Sequence, residues 1–120
     1  MKKNFFLILL FLSLTKVNAQ IADVQQKGSW LYVYNENNKE LSHLSLSHSD
    51  QYIGMGSSFY IVQKGSWLYV YDSNSKEISH MSLSSSDKVK SVGGNNFNLQ
   101  KGSWIYTYDK NCKEVSHRSS

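Results

Sequence analysis

The chain contains no proline and a single cysteine, Cys112, among 120 residues. A lone cysteine cannot close a disulfide within the chain, so packing and hydrogen bonds must hold the fold. Without proline, the turns fall to Gly, Asn, Asp and Ser. No window beyond the N-terminal segment carries a convincing apolar period of about 3.6 residues, which removes helix from the reading. Net charge is nearly missing too. Of the 13 Lys and Arg residues, Lys2, Lys3 and Lys16 lie in a segment expected to be removed, and the remaining 10 face 9 acidic residues. That balance speaks against a nucleic-acid partner, which would need phosphate neutralisation. Catalytic signatures are equally scarce, with no nucleophile elbow, phosphate-cradling glycine loop or clustered carboxylates. No catalytic residue and no cofactor is expected, and the length allows one small domain.

Residues 1–19 read as an export signal. Lys2 and Lys3 precede the apolar run from Phe5 to Leu12, and Val17-Asn18-Ala19 stands before Gln20. Small or aliphatic residues three and one before the scissile bond suit signal peptidase. The apolar run falls well short of the roughly 20 residues that cross a bilayer. No cysteine sits at the cleavage point to take a lipid. With Gln as the new terminus, the segment resembles signal peptides of the Bacteroidetes. The expected protein is periplasmic or secreted, with no membrane span in the mature chain and residues 20–120 forming a single β-repeat domain.

What the chain has in excess is repetition. Trp30, Trp67 and Trp104 stand 37 residues apart, so the chain is an array of three units. Each unit opens Lys-Gly-Ser-Trp at Lys27, Lys64 and Lys101. Two tyrosines follow (Tyr32 and Tyr34, Tyr69 and Tyr71, Tyr106 and Tyr108), then a polar turn. A Lys-Glu-aliphatic-Ser-His segment ends at His43, His80 and His117. The first two units share a Ser-rich stretch closing in Asp50 or Asp87, and a glycine at Gly56 or Gly93. The fold class is all-β, built from three tandem antiparallel β-repeats. Four strands are expected per unit: Trp67 to Asp72, Glu77 to Leu83, Lys88 to Val92 and Phe97 to Gln100. Strand formers alternate in the first of these, and Ser73-Asn74-Ser75 supplies turn chemistry after it.

Lys64-Gly65 reads as a two-residue hairpin loop, with Gly taking positive φ. That loop pairs Val62 with Trp67, Ile61 with Leu68, Tyr60 with Tyr69 and Phe59 with Val70. Paired residues share a face. One face then carries Tyr60, Val62, Trp67, Tyr69 and Tyr71; the other carries Phe59, Ile61, Leu68 and Val70. The third copy keeps Phe97, Leu99, Trp104, Tyr106 and Tyr108 on the aromatic face, while the other face weakens to Asn96, Asn98, Ile105 and Thr107, as a terminal unit would. The aromatic face is therefore expected to be the core, with each Trp buried between repeats. The competing role for Trp30, Trp67 and Trp104, together with Tyr34, Tyr71 and Tyr108, is ligand binding. Aromatic rings with a polar rim suit the C–H faces of sugars.

The equivalent histidines offer another chemistry, since three imidazoles converging on one point would make a zinc set. Duplication alone also produces the pattern, and surface or inter-strand histidines are the expectation, with no metal. Cys112 falls in a turn expected to be exposed, where Lys110 and Lys113 would favour its thiolate.

The succession of an aliphatic strand (Val89 to Val92), a Gly/Asn turn, a Phe-containing strand (Phe97 to Leu99), a Lys-Gly turn, a Trp-Tyr-Asp strand (Trp67 to Asp72), an Asn turn and a Lys-Glu-Ile strand (Lys76 to Ile78) resembles the blades of bacterial β-propeller proteins. The pattern runs across nearly all of residues 21–118. The resemblance implies propeller-blade-like units, beginning at Ile21 in a partial unit and ending after the second strand of the third. Propellers need at least four blades to close, so a compact β-trefoil is the alternative. Because three units are too few to close a ring and leave sheet edges open, self-association is expected. The function read from these features is that of an exported, non-enzymatic binding or interaction module, lectin-like, with a glycan or protein ligand. A purely structural self-associating repeat protein and a metal protein using the symmetric histidines are the alternatives.

Overall fold

The computed structural model describes residues 20–120; the segment 1–19, expected to be an export signal, lies outside the described residues. Within them the chain is all strand and turn. It forms eleven strands in three antiparallel sheets, each a meander of sequence neighbours. The first sheet holds β1 (Asp23–Lys27), β2 (Trp30–Tyr34) and β3 (Glu40–Ser45). The second holds β4 (Asp50–Met55), β5 (Phe59–Lys64), β6 (Trp67–Asp72) and β7 (Glu77–Ser82). The third holds β8 (Lys88–Gly93), β9 (Asn96–Lys101), β10 (Trp104–Asp109) and β11 (Glu114–Ser119). The trefoil is excluded, because the sheets are separate and open. The partial unit is the first one, and the third is complete.

The central hairpin turns one residue later than the sequence suggests. Lys64 pairs with Trp67, Val62 with Tyr69, Ile61 with Val70 and Tyr60 with Tyr71, so the loop is Gly65-Ser66. Gly65 takes φ of 62°. A two-residue loop with Gly at its first position fits the II′ turn, which matches the twist of the strands it joins. Every pair shifts by two positions, and an even shift leaves each side chain on its face. The two-face division therefore survives the change of register.

The following turn is built around a carboxylate. Asp72 Oδ1 accepts from the backbone N–H of Asn74 at 2.9 Å and of Lys76 at 3.0 Å, so its side chain stands in for a backbone acceptor. Ser75 closes the turn at φ of 60°, as do Asn38 and Cys112 at 61° and 58° in the other sheets. A residue with a Cβ pays about 1–2 kcal/mol there, so these turns are held by what packs on them.

The sheets stack face on face. The aliphatic face of the first sheet, with Leu31 and Val33, packs against Tyr60, Val62 and Tyr71 on the aromatic face of the second. The aliphatic face of the second, with Phe59, Ile61, Leu68 and Val70, packs against Phe97, Leu99 and Tyr108 of the third. Both faces of the middle sheet are thus closed, and Phe59, Tyr60, Ile61 and Val62 are all fully buried. Such continuous burial explains why β5 is apolar without alternation.

The joint between sheets is made the same way twice. Ser42 in β3 donates from Oγ to the Ser73 carbonyl at 2.7 Å, and Ser79 in β7 donates to the Lys110 carbonyl at 2.7 Å. In both cases a serine of one sheet's last strand caps the carboxylate-centred turn of the next. Gly56 lies at a second point of close approach. A Cβ there would meet Phe59 Cε1 at 2.3 Å and the Gly94 carbonyl oxygen at 2.6 Å, so only glycine fits.

The outward faces of the stack carry polar residues at positions that are apolar in the middle sheet, although Trp30, Tyr32 and Tyr34 stay on the front of the first. On the front of the first sheet, Asp23 and Gln25 stand where the second has Tyr60 and Val62, and Gln25 Nε2 donates to Asp23 Oδ2 at 2.9 Å. On the back of the third, Asn98 and Thr107 stand where the second has Ile61 and Val70. Thr107 Oγ1 donates to Asn98 Oδ1 at 2.6 Å, and Asn98 Nδ2 donates to Ser91 Oγ at 2.9 Å. On these two faces the named polar side chains bond one another. Self-association is expected from open sheet edges, and each of the three sheets here is open at both edges.

Candidate functional site

The tryptophans are not the core. Trp30, Trp67 and Trp104 are 41%, 44% and 44% exposed, which corrects the expectation that each is buried between repeats. Their near-equal exposure has a specific cause. Among the described residues the first sheet has no sheet on its aromatic face, yet Trp30 is as exposed as the two tryptophans whose sheets are covered. The neighbouring sheet therefore reaches the middle of the aromatic face and stops short of the indole. Alternation says which face a side chain takes, but lateral offset between stacked sheets decides whether that face is covered there.

Around each Trp the same group assembles. In the second sheet, Trp67 meets the His80 ring edge-on with centroids 5.5 Å apart, and Tyr69 lies against the same imidazole at 5.4 Å. His80 Nδ1 is 2.7 Å from Glu77 Oε2. The Lys64 ammonium sits over the Tyr69 and Tyr71 rings at 5.2 Å and 5.8 Å. The third sheet repeats this with Trp104, Tyr106, His117, Glu114 and Lys101, and the first with Trp30, Tyr32, His43, Glu40 and Lys27.

The His–Glu contact depends on a bulge. Residues three apart in a regular strand point to opposite faces. In β7 the register slips between Val70 and Tyr71, so Ser79 pairs with Val70 and Glu77 with Tyr71, leaving Ile78 as the extra residue. The bulge turns Glu77 onto the face of His80. It also puts Ile78 and Ser79 toward the next sheet, where Ile78 packs and Ser79 makes its joint. The same slip occurs in β3 and β11. Sequence reasoning missed the glutamates, although the repeated Lys-Glu-aliphatic-Ser-His segment was the available signal.

Of the tyrosines proposed for ligand binding, Tyr34 is half-buried, while Tyr71 and Tyr108 are buried at 6% and 8% exposure. The latter two support the cluster from beneath, and the ring faces nearer the surface belong to Tyr32, Tyr69 and Tyr106. The histidines do not converge. Each is held by its own sheet, and among the described residues no three His, Cys, Asp or Glu side chains gather as a metal set. Cys112 is half-buried rather than exposed, with Sγ 3.2 Å from Ser79 Oγ. Burial raises its thiol pKa, opposite to the lowering expected from Lys110 and Lys113.

Chemically, each cluster offers a half-open indole, an imidazole whose Nδ1 is engaged by carboxylate, and one ammonium. Its parts can stack and donate or accept hydrogen bonds at a surface.

No family model and no curated protein matches the chain. Among solved structures it is similar to a protein of unknown function from Bacteroides caccae, with a TM-score of 0.53 at 7% identity. The match covers 82% of this chain and 39% of the other, so this chain spans less than half the length of that protein. At that identity the likeness concerns the fold alone. Among the described residues no helix is long and apolar enough to cross a membrane.

Proposed function

We propose that the protein is an exported, non-catalytic glycan-binding module that presents one aromatic–imidazole platform on each of three blade-like sheets. The observation that carries this reading is the half-open state of Trp30, Trp67 and Trp104, which with Val115 are the exposed large apolar side chains among the described residues. A half-exposed indole backed by imidazole and tyrosine is a rigid flat surface with polar groups at its rim, the combination that suits a sugar ring. Meander sheets stacked face on face, with β4 and β8 as neighbours, support the blade-like description. Residues 1–19 support export to the periplasm or beyond.

The test is a glycan array probed with the wild-type chain and with the triple Trp30→Ala, Trp67→Ala, Trp104→Ala variant. Binding to a defined set of sugars that the folded triple variant loses is the expected result. An array that stays blank, or binding that survives the triple change, ends the glycan reading.

A further inference from the structure

We infer that the three platforms form one row, which recognises a single long, neutral, β-1,4-linked glycan laid across all three sheets rather than three separate short sugars. This rests on the glycan-binding reading above. The first support is the repeated joint. The Ser42–Ser73 and Ser79–Lys110 bonds are equal in length and place equivalent atoms together. The displacement that carries Trp30 to Trp67 therefore also carries Trp67 to Trp104. Stacked sheets lie roughly 10 Å apart, so the three indoles recur at that order of spacing along the same edge of the stack.

The second support is the sameness of the clusters. The Trp–His centroid distances are 5.4, 5.5 and 5.6 Å across the three sheets. Three clusters of one geometry suit a ligand that itself repeats and presents the same face at each step. The third support is charge. Each platform has one lysine over its tyrosine (Lys27, Lys64 or Lys101) and one glutamate on its histidine (Glu40, Glu77 or Glu114). One lysine and one glutamate per platform leave no excess of either sign from those two side chains to attract a uronate or sulfate chain. A β-1,4-linked glucan or chitin chain has flat, equatorial sugar units and repeats along an extended axis, which matches a row of flat neutral platforms.

Binding at several linked sites raises affinity through effective concentration without any new contact. The experiment is calorimetric titration of the full chain with the disaccharides and hexasaccharides of β-1,4-linked glucose and of β-1,4-linked N-acetylglucosamine. For one series the hexasaccharide should bind at least about 10-fold tighter than its disaccharide, with one hexasaccharide per chain and an affinity that changes little with added salt. Trp67→Ala interrupts the row at its centre and should lower hexasaccharide affinity about 10-fold or more. In the same variant, disaccharide affinity at the remaining platforms should be unchanged. Equal affinity for short and long members, with three bound per chain, overturns the row while leaving the glycan reading in place. So does failure of both series when the array shows Trp-dependent binding to other glycans. A blank array removes both.

Discussion

Tyr60 and Ser75 are joined by a 2.7 Å hydrogen bond from the phenol to Oγ, and one repeat later both are replaced, by Phe97 and Cys112. The second sheet holds a chain of hydroxyls. Tyr60 donates to Ser75, Ser75 lies 2.8 Å from Ser42, and Ser42 donates to the Ser73 carbonyl. At the next joint Phe97 has no hydroxyl to give, and Cys112 Sγ, a weak acceptor, leaves none wanting. The two changes therefore compensate.

Tyr60→Phe should cost about 1 kcal/mol by leaving Ser75 without its donor. Introducing Phe97→Tyr and Cys112→Ser together should be more favourable than the sum of the two single changes by about 0.5 kcal/mol or more. Urea denaturation of the four species in the cycle measures the coupling. Strict additivity would show that the paired replacement has no energetic basis.

Trp67→Ala should cost less than Leu68→Ala. The indole is half in solvent, while Leu68 is fully buried between the second and third sheets. A buried Leu→Ala change costs about 2–5 kcal/mol; the tryptophan change should fall at or below about 2 kcal/mol, from the half of its surface that is covered. Chemical denaturation of both variants gives the order, and a reversed order would return the indole to the core.

Stability should fall in alkali. Burial, reinforced by the charge of Asp23, pushes the Tyr52 phenol up to about 12. Burial also pushes Tyr60 up to about 12, against the opposing effect of its bond to Ser75. An unfolded tyrosine ionises near 10, so above that pH the unfolded chain loses protons that the folded one retains. The stabilisation is complete below about pH 10 and is lost as pH rises through about 12. Denaturation midpoints followed from neutral pH into this window, alongside phenolate absorbance, should decline together. A flat midpoint across it would contradict the burial of these rings.

With Asn98 and Thr107 on the back of the third sheet, that face should not join chains at micromolar concentration. Restoring the middle sheet's residues on the back of the third, Asn98→Ile with Thr107→Val, should drive association by exposing an apolar face with no partner. Concentration-dependent sedimentation of the wild type would show that some other surface, such as a sheet edge, joins the chains.

Strand positions were largely legible in the sequence. The strand from Trp67 to Asp72 is found as expected, because alternating aromatic and β-branched residues followed by Ser-Asn-Ser leave little freedom. The face of each residue was legible as well, and it withstood an error in the turn because parity is insensitive to a shift of two. Depth was not legible. Whether Trp67 or Leu68 is covered depends on how far one sheet slides across the next, which the Ser42 and Ser79 joints set over a separation of more than thirty residues. The His80–Glu77 pair was hidden for a related reason, since a regular strand keeps them apart and only the bulge at Ile78 unites them.

The polar end faces bear on how such a protein changes length. The middle unit has adhesive surfaces on both sides and the outer two on one side each, so a further copy inserted between the ends would meet a matching serine joint above and below. The ends would remain as they are. Tandem duplication of the interior is then a tolerated event, and platform number can rise or fall by whole units while solubility stays with the same two outer faces.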